Sequence, residues 1–306
     1  MAVRKKKNKQ KLTAIERTDL KWGYIFIGPS IAGLLIFQLG PMIFSLITSF
    51  TSWNVISPMK FVGLENYIEL LHDPLVGISL RVTGFYTLLT VPLTTIITFL
   101  IAMLLNTRVP GMSAFRTIFY IPSIVPAVAS SALWMFIYNP MFGLLNTILK
   151  AVGLPGSNFI YDKQGVIPCL AIMAVWASGN TVVIYLAGLQ GIDHQLYEAA
   201  SIDGGNAWYK FIHITVPLMT PIIFYNMVMG VISSMQTFTQ AYIMTDGGPD
   251  NASLFYALLL YRMAFRNSKM GYASAMSWVF FIIIGVLTFI IFKTSNKWVF
   301  YENGGQ

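Results

Sequence analysis

Six stretches of this chain hold no Asp, Glu, Lys or Arg: 22–59, 82–107, 117–149, 164–192, 211–245 and 270–292. No other charge-free gap reaches 18 residues. A helix needs about 20 mostly apolar residues to cross roughly 30 Å of hydrocarbon, and each stretch is long enough for one crossing. The pattern predicts an all-α membrane protein of six transmembrane helices, with cores near 24–50, 83–105, 118–137, 166–186, 218–243 and 273–292. Two stretches are too long for one helix. In 117–149 the surplus is Tyr138-Asn139-Pro140-Met141-Phe142-Gly143, whose Asn-Pro and Gly mark a turn outside the helix.

Composition sharpens this reading. The chain is 56% hydrophobic and 10% charged, whereas a soluble domain carries about 25% charged residues to keep its surface wet. Soluble and disordered classes are both excluded. A net charge of +8 raises the question of a nucleic-acid partner, and the placement of the charges answers it. With the N-terminus inside, the inner segments hold thirteen Lys and Arg: eight before Trp22, then Arg108, Arg116, Lys210, Lys293 and Lys297. The outer segments hold seven: Lys60, Arg81, Lys150, Lys163, Arg262, Arg266 and Lys269. Basic residues are retained on the cytoplasmic face, so both termini are expected there. Residues 1–21, with Arg4-Lys5-Lys6-Lys7, read as a basic cytoplasmic segment facing lipid, not nucleic acid, and 22–306 as one membrane domain. The apolar run after Lys21 far exceeds the roughly 7–15 residues of a signal-peptide core and is read as a span. The outer segments 51–82, 138–165 and 243–272, with Pro, Gly and aromatic residues, are where an external protein would dock.

The spans lack as much as they hold. No ionisable side chain sits in a span core, which argues against an ion-coupled carrier. His72 and His194 lie in loops and His213 at the inner edge of the fifth span. There is no His-Glu-x-x-His, no clustered carboxylate set and no Gly-x-x-x-x-Gly-Lys-Ser/Thr. The single cysteine, Cys169, makes no disulfide or Cys-based metal site. No catalytic residue, metal site or cofactor is expected, and if the chain transports a solute uphill, the energy must enter through another polypeptide.

The loop between the fourth and fifth spans offers the entry point. Asp193 is placed to cap a short helix reaching Asp203, Gly204-Gly205 breaks it, and Asn206 caps a second helix with Trp208, Phe211, Ile212 and Thr215 on one face. Pro217 and Pro221 punctuate the start of the fifth span. Ala199 and Ala200 form a low-profile surface for another protein, and Glu198 supplies a charge for a basic partner.

Here the sequence resembles the permease subunits of binding-protein-dependent ABC importers. Their cytoplasmic signature is Glu-Ala-Ala, three residues, Gly, nine residues, Ile, one residue, Leu-Pro. Glu198-Ala199-Ala200, Gly204, Ile214 and Pro217 meet it at every spacing, with Val216 in place of Leu and Gly205 in place of the commoner Ala. Further matches narrow the resemblance to the sugar branch, of the maltose and glycerol-phosphate permease type. They include Phe37-Gln38-Leu39-Gly40-Pro41, Phe61-Val62-Gly63-Leu64-Glu65-Asn66-Tyr67, Phe115-Arg116-Thr117, Gly143-Leu144-Leu145-Asn146 and Thr245-Asp246-Gly247-Gly248-Pro249. The sequence carries no counterpart of the additional spans and large external domain of the maltose permease's longer subunit, so the resemblance does not name maltose as substrate.

The resemblance implies half of a pore in a bacterial-type cytoplasmic membrane. Its implied partners are a homologous second permease, two copies of an ABC ATPase that uses ATP and Mg, and an external solute-binding protein. It implies ATPase coupling through Glu198, Ala199, Ala200, Asp203, Gly204, Ile214 and Pro217. It also implies a mid-membrane sugar path along Trp176, Ala177, Asn180, Gly230, Ser234 and Thr237. Uncharged amides and hydroxyls suit sugar recognition, and Gly, Ser and Thr equally suit helix packing in lipid. A permease for another solute class, or an ATP-independent six-span channel or carrier, remain alternatives at this level.

Overall fold

The structure, a computed structural model, describes residues 13–107 and 109–300. The basic run from Arg4 to Lys11 lies outside the described residues, as do Arg108 and 301–306. Among the described residues the regular structure is helical apart from one two-residue ladder. Helix α1 (Ala14–Gly33) passes through a π-helical segment (Leu34–Leu39) into α2 (Gly40–Ser49). The wide turn sits directly before Gly40-Pro41, where the missing proline donor interrupts the i→i−4 hydrogen bonds. Strands β1 (Thr51–Ser52) and β2 (Lys60–Phe61) pair antiparallel, Thr51 opposite Phe61. In α3 (Glu65–His72), buried Asn66 donates Nδ2 to the carbonyls of Ser49 at 2.8 Å and Thr51 at 3.0 Å, fixing this hairpin against the end of α2.

Helix α4 (Pro74–Leu105) starts on an Asp73 cap, whose Oδ1 accepts from the Leu75 amide at 2.9 Å. The next pair, α5 (Met112–Ile124) and α6 (Ala127–Ile137), meets at 101° across Val125-Pro126. After α7 (Leu144–Ala151), α8 (Val166–Trp176) and α9 (Gly179–Gln190) meet at 50°. There follow α10 (His194–Ile202), α11 (Ala207–Lys210), a π-turn (Phe211–Thr215), α12 (Val216–Met235) and α13 (Thr239–Met244). The chain ends with α14 (Tyr256–Tyr261), a second π-turn (Arg262–Arg266) and α15 (Met270–Ser295).

Among the described residues, four runs are long and apolar enough to cross a membrane: Thr18–Ser49, Pro74–Leu105, Ala207–Met244 and Met270–Ser295. The bent pairs α5–α6 and α8–α9 raise the number to six if each is one span. A charge-free window shows that a stretch can lie in lipid but not that its helix is straight, so the breaks at Val125-Pro126 and Ala177-Ser178 escape the charge pattern. The helices also overrun the predicted cores. The first begins at Ala14, not near residue 24, and the second at Pro74, not near 83.

Helix α4 is the hub, packing against α8, α9, α12 and α14. Tyr256 ties it to α15: its amide donates to Thr83 Oγ1 at 2.9 Å, its hydroxyl to the Met276 carbonyl at 3.0 Å, and its ring stacks on Phe280. The far end of α15 returns to the start of α12. There Val299 is buried with Phe224 and Val228, and the Phe300 amide donates to Thr220 Oγ1 at 2.8 Å. The first span meets the rest of the bundle through α2, which packs against α15. Only 6% of its apolar window is buried, so lipid or another chain must cover it.

Candidate functional site

Two places on α11–α13 gather the residues singled out in the sequence. The first is the bend between α10 and α11. Asp193 Oδ1 accepts from the Gln195 amide at 2.9 Å and opens α10, and Asn206 Oδ1 accepts from the Tyr209 amide at 2.8 Å and opens α11. Between them the chain closes a paired C-cap: Gly204 N–H donates to the Ser201 carbonyl at 3.2 Å and Gly205 N–H to that of Ala200 at 2.7 Å. Gly204 has φ +80°, the left-handed region. Gly205 stands where the resemblance has Ala more often, yet a Cβ there would lie 2.7 Å from the Ala200 carbonyl oxygen. This turn is therefore closed more tightly than Ala tolerates without a shift.

A hollow of about 500 Å³ opens at the bend, with Ala200, Asp203, Gly204 and Ile214 among its lining. Glu198 and Ala199 are fully in the open on α10, and Pro217 sits in the first turn of α12. The expected single apolar face on α11 divides. Phe211 packs near Phe99 and Thr215 is buried, while Trp208 stays 68% exposed. The π-turn at Phe211–Thr215 rotates the register, which an i, i+4 reading of the sequence assumes constant. With Ile202 87% exposed as well, the bend presents apolar surface that a partner would cover. Gly204→Val forces a β-branched residue into φ > 0, at a cost of about 1–3 kcal/mol. Faster hydrogen exchange across α10 and α11 is the expected result.

The second place is a cavity of about 380 Å³ between α4, the α8–α9 junction and α12–α13. Its polar lining is hydroxyl and amide: Thr90, Thr94 and Thr95, Ser178 and Thr181, Asn226, Ser233, Ser234, Thr237 and Gln240. Among the described residues no charged side chain lines it. Ser234 Oγ donates to Thr87 Oγ1 at 3.1 Å, bridging α12 to α4, and Thr90 Oγ1 is buried without a partner. Of the residues expected on a sugar path, Ala177, Gly230, Ser234 and Thr237 lie here. Trp176 and Asn180 do not. Trp176 sets its ring edge-on to Trp134, 5.7 Å between centroids, and Asn180 is exposed away from the cavity. Four-residue spacing places two side chains on one face only in an unbroken helix, and Ala177-Ser178 breaks this one between them. Thr181, one position on, takes the lining place.

The α4 side of the cavity was missed by sequence reasoning. Its signal is present: Thr83, Thr87, Thr90, Thr94 and Thr98 recur at three- and four-residue spacing in an otherwise apolar span. Outside the spans, Asp246 is braced by Arg266 at 2.9 Å and by Arg262. Partial burial pushes its carboxyl up, but hydrogen bonds from both guanidinium groups outweigh this and hold it below the usual range.

Comparison with known proteins places the whole arrangement. Residues 82–301 match the family described as binding-protein-dependent transport system inner membrane component. The chain is similar to the probable ABC transporter permease protein YesP of Bacillus subtilis (strain 168), 42% identical over 292 residues and covering 94% of each chain. It is also similar to the lactose transport system permease protein LacF of Rhizobium radiobacter, 32% identical, covering 90% of this chain and 94% of that one. Among solved structures, it shares the fold of a chain of a bacterial alginate ABC transporter in complex with an alginate pentasaccharide-bound periplasmic protein. There the TM-score is 0.81 and the identity 21%, over 92% of this chain and 96% of that one. A multi-pass helical chain whose match extends from the α4 hub to the final helix thus belongs to the inner membrane components of binding-protein-dependent transport systems, as an ABC-importer permease subunit and not an enzyme.

Proposed function

We propose that this chain forms half of the pore of an ATP-driven importer for neutral sugars or oligosaccharides, crossing the membrane six times with both termini in the cytoplasm. The observation that carries the reading is continuity. From Ala207 to Met235, α11, the π-turn and α12 run without a break, a rod of about 43 Å at 1.5 Å per residue. The docking-type bend stands at one end of this rod and the polar cavity wall along the other. A push on the bend from an ATPase reaches the cavity without crossing a loop.

In this reading Glu198, Ala199, Ala200, Asp203, Gly204, Ile214 and Pro217 form the ATPase-coupling surface. Ala177, Thr181, Gly230, Ser234 and Thr237 with Thr90, Thr94 and Thr95 of α4 form this chain's side of the sugar path. A second, homologous permease completes the pore and supplies cover for the exposed first span. Two ATPase copies bind inside, and a solute-binding protein docks outside. Residues 1–21 anchor to anionic headgroups and 22–306 act as one membrane domain. Support for a sugar comes from the named lactose relative and from the lining. The alginate neighbour carries an acidic polysaccharide. This cavity has no Lys or Arg to neutralise one, which favours an uncharged substrate.

The test is reconstitution with the partner permease, ATPase and binding protein, reading sugar-stimulated ATP hydrolysis and initial uptake. Thr237→Val removes a hydroxyl from the cavity. A net hydrogen bond is worth about 0.5–1.5 kcal/mol, so uptake efficiency should fall about threefold to tenfold. Sugar affinity of the binding protein should be untouched. Unaltered kinetic constants per assembled complex would remove Thr237 from the path, and preferred uptake of an acidic saccharide would overturn the neutral-sugar reading.

A further inference from the structure

At the end of the bundle that carries the α10–α11 bend, a hollow of about 1290 Å³ opens among the C-terminus of α4, the α4–α5 turn, α5, the end of α9 and the loop helices. Among the described residues its charged lining has one sign, Arg116 from α5 and Lys210 from α11, with His194 also on the wall and no Asp or Glu. Both cations are half-buried, and among the described residues neither has a carboxylate within ion-pairing distance. Arg116 is held in place by its own helix-capping role. Its Nε and Nη2 donate to the Leu105 carbonyl at 3.2 and 2.9 Å, at the end of α4. Nη1 has no acceptor among the described residues. Lys210 Nζ donates to Ser201 Oγ at 2.6 Å, and an ammonium has two further donors to place.

A half-buried cation that no protein carboxylate pairs with keeps N–H donors for an anion from outside. Lysines that merely mark the cytoplasmic face extend singly into water. These two sit on separate elements around one hollow, with the amides of Asn106 and Gln190 on the same wall. We propose that this hollow binds a phosphate-bearing ligand whose anionic group bridges Arg116 and Lys210. Such a ligand ties α5 to α11 and so steadies the bend against the α4–α5 turn. The inference rests on the orientation proposed above, which puts this end in the cytoplasm. Two sources offer the same chemistry there: the headgroup of an anionic phospholipid, or a soluble phosphate such as a sugar phosphate.

The experiment uses the complete complex, with partner permease and ATPase subunits, in nanodiscs of phosphatidylcholine alone or with phosphatidylglycerol. Retained phosphatidylglycerol is counted by native mass spectrometry. In the phosphatidylcholine discs, inorganic phosphate or glucose 6-phosphate is titrated while melting is followed. Lys210→Gln carries the test, because Arg116→Gln also removes the α4 cap. Each cation near an anionic surface is worth about fivefold in affinity, so Lys210→Gln should weaken binding by about that factor. Phosphatidylglycerol retained by the wild type and lost from the variant assigns the lipid source. A saturable melting shift with the soluble phosphates, weakened in the variant, assigns the soluble one. No binding of any probe by the wild type, or binding that Lys210→Gln leaves unchanged, overturns the site. Sugar-stimulated hydrolysis in the same preparation reports the transport reading separately: if it persists without anion binding, only this site fails.

Discussion

Gly179→Val should leave little assembled transporter, and even Gly179→Ala should lower the melting temperature of the complex. Gly179 opens α9 where that helix closes on α5. A Cβ at this position would stand 2.3 Å from the Phe119 carbonyl oxygen and 3.0 Å from the Tyr120 Cα. These are backbone atoms within a helix, so no side-chain rotation relieves the contact, and the two helices must part. Overpacking of this kind costs about 1–3 kcal/mol and occasionally more, a large share of a marginal stability. The contact lies beside the 50° bend, next to Ala177, Ser178 and Thr181 of the cavity lining. Opening it disturbs transport as well as folding. Melting of the purified Gly179→Ala complex, with uptake normalised to assembled protein, checks both. A variant as stable and as active as the wild type would show that the α5–α9 contact yields easily.

How much of this was legible in the sequence depends on the range of the interaction concerned. The lipid-crossing stretches follow from where charge is absent, a property each residue carries alone. The caps at Asp193 and Asn206 and the glycine bend between them were legible because they involve partners two to five residues away. Helix direction within a span was not. At the α8–α9 bend Gly179 meets Phe119, sixty positions earlier in the chain, and no local pattern encodes that meeting. Trp176 and Asn180 were placed on one face by counting through this break. The α4 threonines carry the opposite lesson. Their spacing is visible, yet hydroxyls that only bond their own preceding turn, as Thr98 does to the Thr94 carbonyl at 2.6 Å, look the same in sequence as hydroxyls that line a cavity. Only the juxtaposition of α4 with α12, through Thr87 and Ser234, separates the two.

Glu198→Lys should abolish sugar-stimulated ATP hydrolysis and uptake while the permease stays folded in the membrane. Glu198 lies exposed on α10, and among the described residues it makes no ion pair that a change of charge would break. Its replacement leaves the Asp193 cap and the Gly204-Gly205 turn untouched, and melting of the isolated permease pair should not change. Against a basic groove on an ATPase the outcome differs. An exposed pair contributes about 0–1 kcal/mol, but like charges brought together in an interface cost several. Three kcal/mol is about a hundredfold in affinity, enough to empty the coupling surface at working concentrations. Glu198→Gln separates charge from shape: it removes the attraction without adding repulsion, and should lose much less. The two variants, co-purified with ATPase and assayed for hydrolysis with and without loaded binding protein, give the decision. If Glu198→Lys retains stoichiometric ATPase and a normal sugar response, α10 does not contact the ATPase through this face, and the bend must be given another role.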